Sequence, residues 1–176
     1  STFNGNSPFY LADGSDVENQ GGQSYGSAVS REQATEQSIN TAFVDLTEQM
    51  GPAEVAEAAK AAGLNTANLE TSAQITLGTG AFSPLAMASA YGTFANEGVQ
   101  TAPYTVQQVT DSDGNVRYEA EIEGQRGFPA DIANEVTYDL TRVVTSGTGV
   151  GASALGRPAA GKTGNTEKHT QAWVVG

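Results

Sequence analysis

The sequence contains no cysteine, which excludes disulfide bonds and thiolate chemistry from its 176 residues. His169 is the only histidine, and no cluster of ligand-type residues surrounds it, so we expect neither a metal site nor a cofactor. Lysine and arginine together number 8 against 20 acidic residues, which gives a net charge of −12. The basic residues form no cluster, which argues against nucleic acid and an anionic membrane surface as partners. No apolar run reaches the length of a membrane span.

The sequence also lacks a serine followed three residues later by a lysine, the S-x-x-K pattern of a serine acyl-transfer nucleophile. The residues three places before Lys60, Lys162 and Lys168 are Glu57, Ala159 and Asn165. The chain begins at Ser1 without a methionine and shows no signal sequence, which favours an excised or processed fragment. We therefore expect that acyl transfer would require a nucleophile outside these residues.

Glycine, alanine, serine and threonine make up much of the composition. The pattern of residues along the chain distinguishes three stretches. Residues 1–29 are rich in glycine, serine and asparagine, which predicts a coil crossing the surface. Residues 30–149 are mainly helical by pattern, with a hairpin predicted near 104–118, where apolar residues alternate around an Asp-Gly turn. Residues 156–176 predict two short strands joined by a polar turn. The pattern indicates a helical body that leads into the first strands of a sheet.

Helices are predicted to begin at Ser30, Pro52, Ser83 and Pro129. Ser30 has a glutamine three residues later, as in a capping box. The residues expected to face inward are Phe43, Leu46 and Met50 in one helical segment and Ile132, Val136, Leu140 and Val143 in the last.

Ser38 and Asn40 interrupt the first helical pattern, because serine and asparagine compete for backbone hydrogen bonds. In a loop between helices they can point the same way. The hydroxyl can then pass a proton, while the amide both donates and accepts. The alternative is that Ser38 only caps a helix.

Lys162, Thr163 and Gly164 form the second candidate motif. The lysine supplies a fixed positive charge, the threonine hydroxyl can bind a carboxylate, and the glycine allows a substrate backbone to lie along a strand edge. The alternative is a simple surface turn.

Residues 156–163 also match the phosphate-loop pattern G-x-x-x-x-G-K-[ST]. That pattern requires a buried strand before it and a helix after it. The preceding residues 148–155 contain little β-branching, and Gly164 and Asn165 would break a helix at once. A nucleotide-binding protein is therefore a disfavoured alternative.

Five sequence blocks, in one order, resemble the transpeptidase domain of penicillin-binding proteins, especially the bifunctional high-molecular-weight type. The blocks are Gln37–Phe43, Thr76–Gly78 with Ser83–Tyr91 and Phe94–Asn96, Gly147–Gly149, Gly156–Gly164, and Ala172–Gly176. The resemblance implies an α+β fold of the penicillin-binding and serine β-lactamase type, with the helical subdomain and part of the antiparallel sheet present. It implies that residues 1–176 are a partial transpeptidase domain, whose nucleophile motif lies before Ser1.

The resemblance also implies catalytic roles. Ser38 would relay a proton to and from the leaving group, Asn40 would bind the acyl-donor peptide, and Lys162 would polarise Ser38 and attract the substrate carboxylate.

Substrate-binding roles are implied for the residues that follow the lysine. Thr163 would bind the carboxylate, Gly164 would admit the substrate backbone, and the backbone N–H of Asn165 would form half of an oxyanion hole. The family usually has threonine at the position of Asn165, and Thr166 follows as a further candidate contact.

The function implied by the resemblance is peptidoglycan D-Ala-D-Ala cross-linking through a serine acyl-enzyme, with the fragment itself inactive. The expected partners are a peptidoglycan stem peptide, β-lactam antibiotics and the remainder of the parent domain. The expected location is the extracytoplasmic face of a bacterial membrane. Beside the nucleotide-binding protein, the other alternative is a non-catalytic binding module that keeps this fold.

Overall fold

The computed structural model describes residues 1–166 and 172–176. Within these residues the chain forms a mixed helix-and-sheet fold, as the sequence predicts. The helices are α1 (Arg31–Gln37), α2 (Asn40–Met50), α3 (Pro52–Ala61), α4 (Pro84–Ala95) and α5 (Ala130–Thr145). The strands are β1 (Thr2–Phe3), β2 (Phe9–Tyr10), β3 (Asp16–Val17), β4 (Val29–Ser30), β5 (Val99–Thr101), β6 (Gln108–Thr110), β7 (Val116–Glu119), β8 (Gly124–Arg126), β9 (Lys162–Asn165) and β10 (Ala172–Val175). Short 3₁₀ segments cover Gln20–Gly22, Ala73–Leu77 and Val150–Leu155.

The segment before α1 is packed, so the prediction of a surface coil over residues 1–29 needs correction. Strand β1 pairs with β4, and β2 pairs with β3, both antiparallel. The buried side chains of this segment include Phe3, Leu11, Val17 and Val29. Phe3 and Val29 belong to the core cluster around the α1–α2 junction. Glycine-rich turns separate the few apolar residues of this segment and bring them to the same face of it. The N-terminal segment thus packs behind the turn that carries Ser38 and Asn40.

Helix α1 begins where the capping pattern predicts, since the Ser30 hydroxyl accepts a hydrogen bond from the Gln33 N–H at 3.1 Å. The predicted inward face of α2 is wrong in part. Met50 is exposed, and the most deeply buried apolar side chain of α2 is Val44, which packs against Leu11 and Val17 of the preceding segment. The reason is tertiary: α2 buries the face that meets the N-terminal segment.

Helix α5 is the frame that joins the two halves of the chain. Leu140 and Val143 are buried as predicted, whereas Ile132 is 45% exposed and the first turn of α5 buries Ala133 instead. Two arginines tie α5 to α1 through ion pairs: Arg31 contacts Asp139, with Nε donating at 2.7 Å, and Glu135, while Arg142 contacts two acidic residues of α1. The orientation of α1 is therefore set by a helix about one hundred residues later in the sequence.

The predicted hairpin is confirmed, with β6 and β7 antiparallel on either side of a turn at residues 111–115. The pairing of β5 with β8, which flanks this hairpin, was not predicted. Both strands are three residues long, too short to show a clear alternation of apolar side chains.

Strands β9 and β10 form an antiparallel pair in which Lys162 lies opposite Val175 and Gly164 opposite Trp173. The two predicted strands are thus confirmed, while the polar turn predicted between them falls on residues 167–171, outside the described residues. Gly161 donates its N–H to the Leu140 carbonyl at 3.2 Å, which attaches the start of β9 to α5. Among the described helices, none has the length and apolar character that a membrane crossing demands.

Candidate functional site

Ser38 occupies the left-handed backbone region at the end of α1, with φ 56° and ψ 51°. The N–H of Ile39 donates to the Ala34 carbonyl at 3.0 Å, and that of Ser38 donates to the Thr35 carbonyl at 3.3 Å. These bonds form a Schellman motif, in which glycine is the usual left-handed residue. A serine there carries a strain of about 1–2 kcal/mol. A strained polar side chain held in this way points to a functional requirement for its hydroxyl.

Ile39 anchors this turn in the core. Its side chain is 1% exposed and packs with Phe3, Val29 and neighbouring apolar residues. Because Ile39 is fixed, Ser38 and Asn40 on either side of it are held in place. The Asn40 Nδ2 donates to the Glu18 carbonyl at 2.9 Å, so the asparagine amide is also oriented.

Lys162 meets Ser38 across a separation of 124 residues. Its Nζ donates a hydrogen bond to the Ser38 Oγ at 2.7 Å and a second one to the Thr163 carbonyl at 2.9 Å. Because the ammonium donates into the serine oxygen, the serine hydrogen is free to point elsewhere. The two candidate motifs of the sequence therefore form one site.

Burial lowers the pKa of Lys162 from its ordinary value of 10.5 to about 8, because the charged form loses hydration. At neutral pH the group is still mainly an ammonium, yet it is close enough to its pKa to release a proton at low cost. A cation of this kind can both stabilise developing negative charge and take part in proton transfer.

Thr163 has its hydroxyl 2.6 Å from that of Thr148, which follows α5. The Thr148 N–H in turn donates to the Glu36 carbonyl at 3.1 Å, next to the end of α1. Two hydroxyls thus lie side by side at the edge of the site. One of them donates to the other, which leaves the second hydroxyl hydrogen available to an anion.

Gly161, just before β9, and Gly164, on β9, differ in whether the surrounding packing requires a residue without a side chain. A Cβ on Gly161 would lie 2.8 Å from the Val175 carbonyl oxygen, so the strand pairing itself excludes a side chain there. A Cβ on Gly164 would come no nearer than 3.9 Å to Trp173, an ordinary contact. Packing within the described residues therefore does not require glycine at position 164. Asn165 and Thr166 continue β9 and are exposed.

A cavity of about 450 Å³ contains the candidate residues. It is lined by both motifs, from Ser38 and Asn40 to Lys162, Thr163, Gly164 and Asn165, and by apolar side chains of α2 and α5. Thr166 does not line it. It lines instead a larger cavity of about 670 Å³, which shares Lys162 to Asn165 with the smaller one but which neither Ser38 nor Asn40 reaches. We place the candidate site in the smaller cavity because the Lys162–Ser38 contact lies there.

The phosphate-loop interpretation fails on its structural requirements. The residues before Gly156 form a 3₁₀ segment rather than a strand, and Lys162 begins strand β9 rather than a helix. The backbone N–H groups therefore cannot form the loop that holds phosphates. Over the described ranges, no group of three or more metal-ligating side chains comes together.

Sequence reasoning missed three residues that support the site. Glu18 holds Asn40, Asn19 contacts the start of α2, and Thr148 contacts Thr163. Glu18 and Asn19 lie in the stretch that was read as coil, where no local pattern predicts a long-range contact. The Gly-Thr-Gly block around Thr148 was recognised, but without a role for the threonine.

Comparison with known proteins agrees with this geometry. Residues 5–176 match the family model described as penicillin binding protein transpeptidase domain. Penicillin-binding protein 1A of Aquifex aeolicus is 39% identical over 140 residues, which cover 79% of this chain and 19% of that protein.

Two solved structures are similar over almost the whole chain. The D,D-transpeptidase domain of a peptidoglycan glycosyltransferase from Eggerthella lenta is 26% identical with a TM-score of 0.81, and the match covers 99% of this chain and 50% of that one. PonA1 from Mycobacterium tuberculosis in complex with penicillin V is 27% identical with a TM-score of 0.80, covering 98% and 50%. The chain thus spans about a fifth of that curated relative and half of these solved chains. The chain belongs to the family of penicillin-binding-protein transpeptidase domains.

Proposed function

We propose that this chain is part of a serine-type D-Ala-D-Ala transpeptidase that cross-links peptidoglycan stem peptides. The contact between the Lys162 Nζ and the Ser38 Oγ at 2.7 Å carries the proposal, because it joins two motifs that are 124 residues apart. Residues 1–176 form a partial transpeptidase domain, and the nucleophilic serine is contributed by a segment outside these residues. The limited coverage of the relatives supports this division.

The reaction proceeds in two steps. The nucleophilic serine oxygen attacks the carbonyl carbon between the two D-alanines, an ester forms, and the amide bond to the terminal D-alanine breaks. The serine proton reaches the nitrogen of the departing D-alanine through Ser38, whose hydroxyl hydrogen is left available by the bond from Lys162. In the second step an amine of another stem peptide attacks the ester carbon, a new amide bond forms, the ester bond to the serine breaks, and a proton from the amine returns to the serine oxygen.

The remaining residues bind the donor peptide. The Asn40 amide, oriented by Glu18, holds the peptide backbone. The hydroxyl of Thr163, with Lys162, binds the terminal carboxylate. Gly164 allows the donor to lie along β9, which agrees with the finding that packing does not demand glycine there.

Asn165 and Thr166 complete the donor site. The backbone N–H of Asn165 contributes to the oxyanion hole. Thr166 follows β9 and lines the larger cavity rather than the smaller one, so its contact with the donor stays a prediction.

A β-lactam enters the same site because its strained amide and carboxylate reproduce those of the donor. PonA1 has been solved in complex with penicillin V, which supports this assignment. The parent protein acts on the extracytoplasmic side of the bacterial membrane, where the stem peptides are. Its partners are therefore the stem peptide, the antibiotic and the rest of its own domain, and not nucleic acid.

The test is acylation of the full-length protein that carries this chain by a fluorescent penicillin, followed by intact mass and peptide mapping. We expect one adduct, on a serine outside residues 1–176, and none on the isolated chain. Lys162→Ala should lower the acylation rate by a factor of about 10²–10³, the scale for removing one electrostatic element from an acyl-transfer site. Lys60→Ala, which removes an exposed lysine from α3, is the matched control.

An adduct on the isolated chain would contradict the assignment of the nucleophile. Reversible binding of penicillin without any adduct would favour the non-catalytic binding module. Unchanged acylation in a folded Lys162→Ala variant would remove the role of the lysine.

A further inference from the structure

Asn19 is a buried polar residue at the back of the Ser38–Asn40 turn. Its side chain lies in the N-terminal segment and is 4% exposed. Asparagine is seldom buried to this degree unless its amide is fully used. Its contacts therefore indicate what it does.

The side-chain oxygen of Asn19 caps helix α2. The Thr41 N–H donates to the Asn19 Oδ1 at 3.0 Å, in a fully buried hydrogen bond. Helix α2 begins at Asn40, and the residue at its N-cap position is Ile39, which has no side-chain acceptor. Asn19 thus supplies, from 22 residues earlier, the oxygen that a serine or aspartate usually supplies locally.

Asn19 is itself fixed on every other side. Its Nδ2 donates to the Gly5 carbonyl at 3.0 Å and to the Gln23 carbonyl at 2.8 Å. Its backbone N–H donates to the Ser7 hydroxyl at 3.0 Å. The amide oxygen is consequently aimed at α2 by a network that spans the N-terminal segment.

The neighbouring carbonyl acts on the site directly. Glu18 accepts the hydrogen bond from the Asn40 Nδ2 at 2.9 Å, so consecutive residues hold both the amide of Asn40 and the peptide after it. The turn is strained at Ser38 and cannot hold this geometry by local preference alone.

We propose that Asn19 is a positioning residue of the transpeptidase site, which it serves by fixing the Ser38–Asn40 turn from behind. The proposal rests on the function proposed above. Asn19 touches no substrate; it acts through the Thr41 amide and, by way of Glu18, through the orientation of Asn40.

The experiment measures the acylation rate of the full-length protein at saturating fluorescent penicillin for Asn19→Ala, Asn19→Asp and Thr93→Val. Aspartate keeps an oxygen near the Oδ1 position, but it loses both Nδ2 hydrogen bonds and places a carboxylate oxygen against the Gly5 and Gln23 carbonyls, so it removes the contacts that aim Oδ1 at α2. Thr93 is also buried, its hydroxyl donates to the Ala62 carbonyl at 2.9 Å, and it lines neither cavity. Thr93→Val thus removes a buried hydrogen bond without touching the turn.

We expect Asn19→Ala and Asn19→Asp both to acylate at least tenfold more slowly than the wild type, and Thr93→Val to stay within twofold of it. Thermal melting identifies a temperature at which all variants remain folded. If Asn19→Ala does not fold, Asn19→Ser replaces it, since its shorter side chain cannot reach the Thr41 amide. The same tenfold loss is expected.

A wild-type rate in the folded alanine or serine variant would overturn the positioning role while leaving the proposed function intact. Equal losses in Asn19→Ala and Thr93→Val, each of which removes a buried hydrogen bond, would reduce Asn19 to a structural residue. Absence of any adduct on the wild-type protein would instead remove the proposed function, and this role with it.

Discussion

Lys162 is the residue at which the structure makes its most quantitative prediction. Burial lowers its pKa from 10.5 to about 8, so the unfolded chain binds a proton more tightly than the folded chain does. Between these two values the unfolded state holds more protons. The contribution of Lys162 to stability must therefore rise with pH across this window.

The magnitude follows from the two pKa values. Below pH 8 the folded state carries the full cost of burying the charge, about 3 kcal/mol at about 1.4 kcal/mol per pH unit. Between pH 7 and pH 9.5, linkage predicts that this cost falls by about 2 kcal/mol. The contribution of Lys162 must be isolated from that of the rest of the chain by difference.

The assay is urea unfolding of the chain and of Lys162→Met at several pH values. The difference between the two unfolding free energies should shift by about 2 kcal/mol in favour of the wild type between pH 7 and pH 9.5. Lys60→Met, on the exposed face of α3, controls for the loss of one positive charge. The chain has three lysines, so NMR of ¹³C-labelled lysine side chains can follow the titration of Lys162 directly.

Two results would refute the reasoning. A Lys162 signal that titrates at pH 10 or above would show that the side chain is hydrated in solution. A stability difference that stays constant or falls with pH would show that burial is not what controls its protonation.

Two further predictions concern the frame of the site. A Cβ on Gly147 would collide with a backbone carbonyl of α1, so Gly147→Ala should lower the free energy of unfolding in denaturant by about 1–3 kcal/mol. A Cβ on Gly151 would have nothing within 4 Å, so Gly151→Ala should change stability by less than about 1 kcal/mol. Equal effects of the two substitutions would contradict the close approach at Gly147. Arg31→Ala leaves the buried Asp139 carboxylate without its partner and should cost about 1–3 kcal/mol, while Glu135→Ala removes only the exposed arm of the same arginine and should cost under about 1 kcal/mol. A larger loss of stability for Glu135→Ala would show that the buried Arg31–Asp139 pair contributes less to stability than the exposed Arg31–Glu135 pair.

Local chemistry made much of this protein readable from the sequence. Ser30 and Ser83 begin helices because their hydroxyls accept from the N–H groups three residues later, and both contacts lie within four residues of sequence. The break between α1 and α2 is at the predicted position, but neither side chain bonds to the local backbone there: the Ser38 Oγ contacts Lys162 and the Asn40 Nδ2 contacts the Glu18 carbonyl. The family resemblance was also available, because the order of the motif blocks is a property of the chain itself and is confirmed by the family model.

The buried faces of the helices and the long-range partners of the N-terminal segment were harder to predict from the sequence. The helical period predicted apolar stripes, yet Met50 and Ile132 are exposed, because the period gives a stripe and the neighbouring element decides which part of it is covered. The N-terminal segment was read as coil, although Val29 is completely buried. Its burial depends on pairing between β1 and β4 and on the position of α1, which no short window contains.

The sequence alone determined which functional groups are present, a serine, an amide and a lysine with its threonine, and where the backbone must bend to display them. Tertiary structure alone decided that the Lys162 Nζ lies 2.7 Å from the Ser38 Oγ. It did so through α5, which is joined to α1 by ion pairs and to the start of β9 by a backbone hydrogen bond. The lowered pKa of Lys162 is likewise a tertiary property, because desolvation depends on atoms supplied by distant segments. The residue types determine which groups can transfer a proton. Tertiary packing determines which groups they contact and the pH at which Lys162 loses its proton.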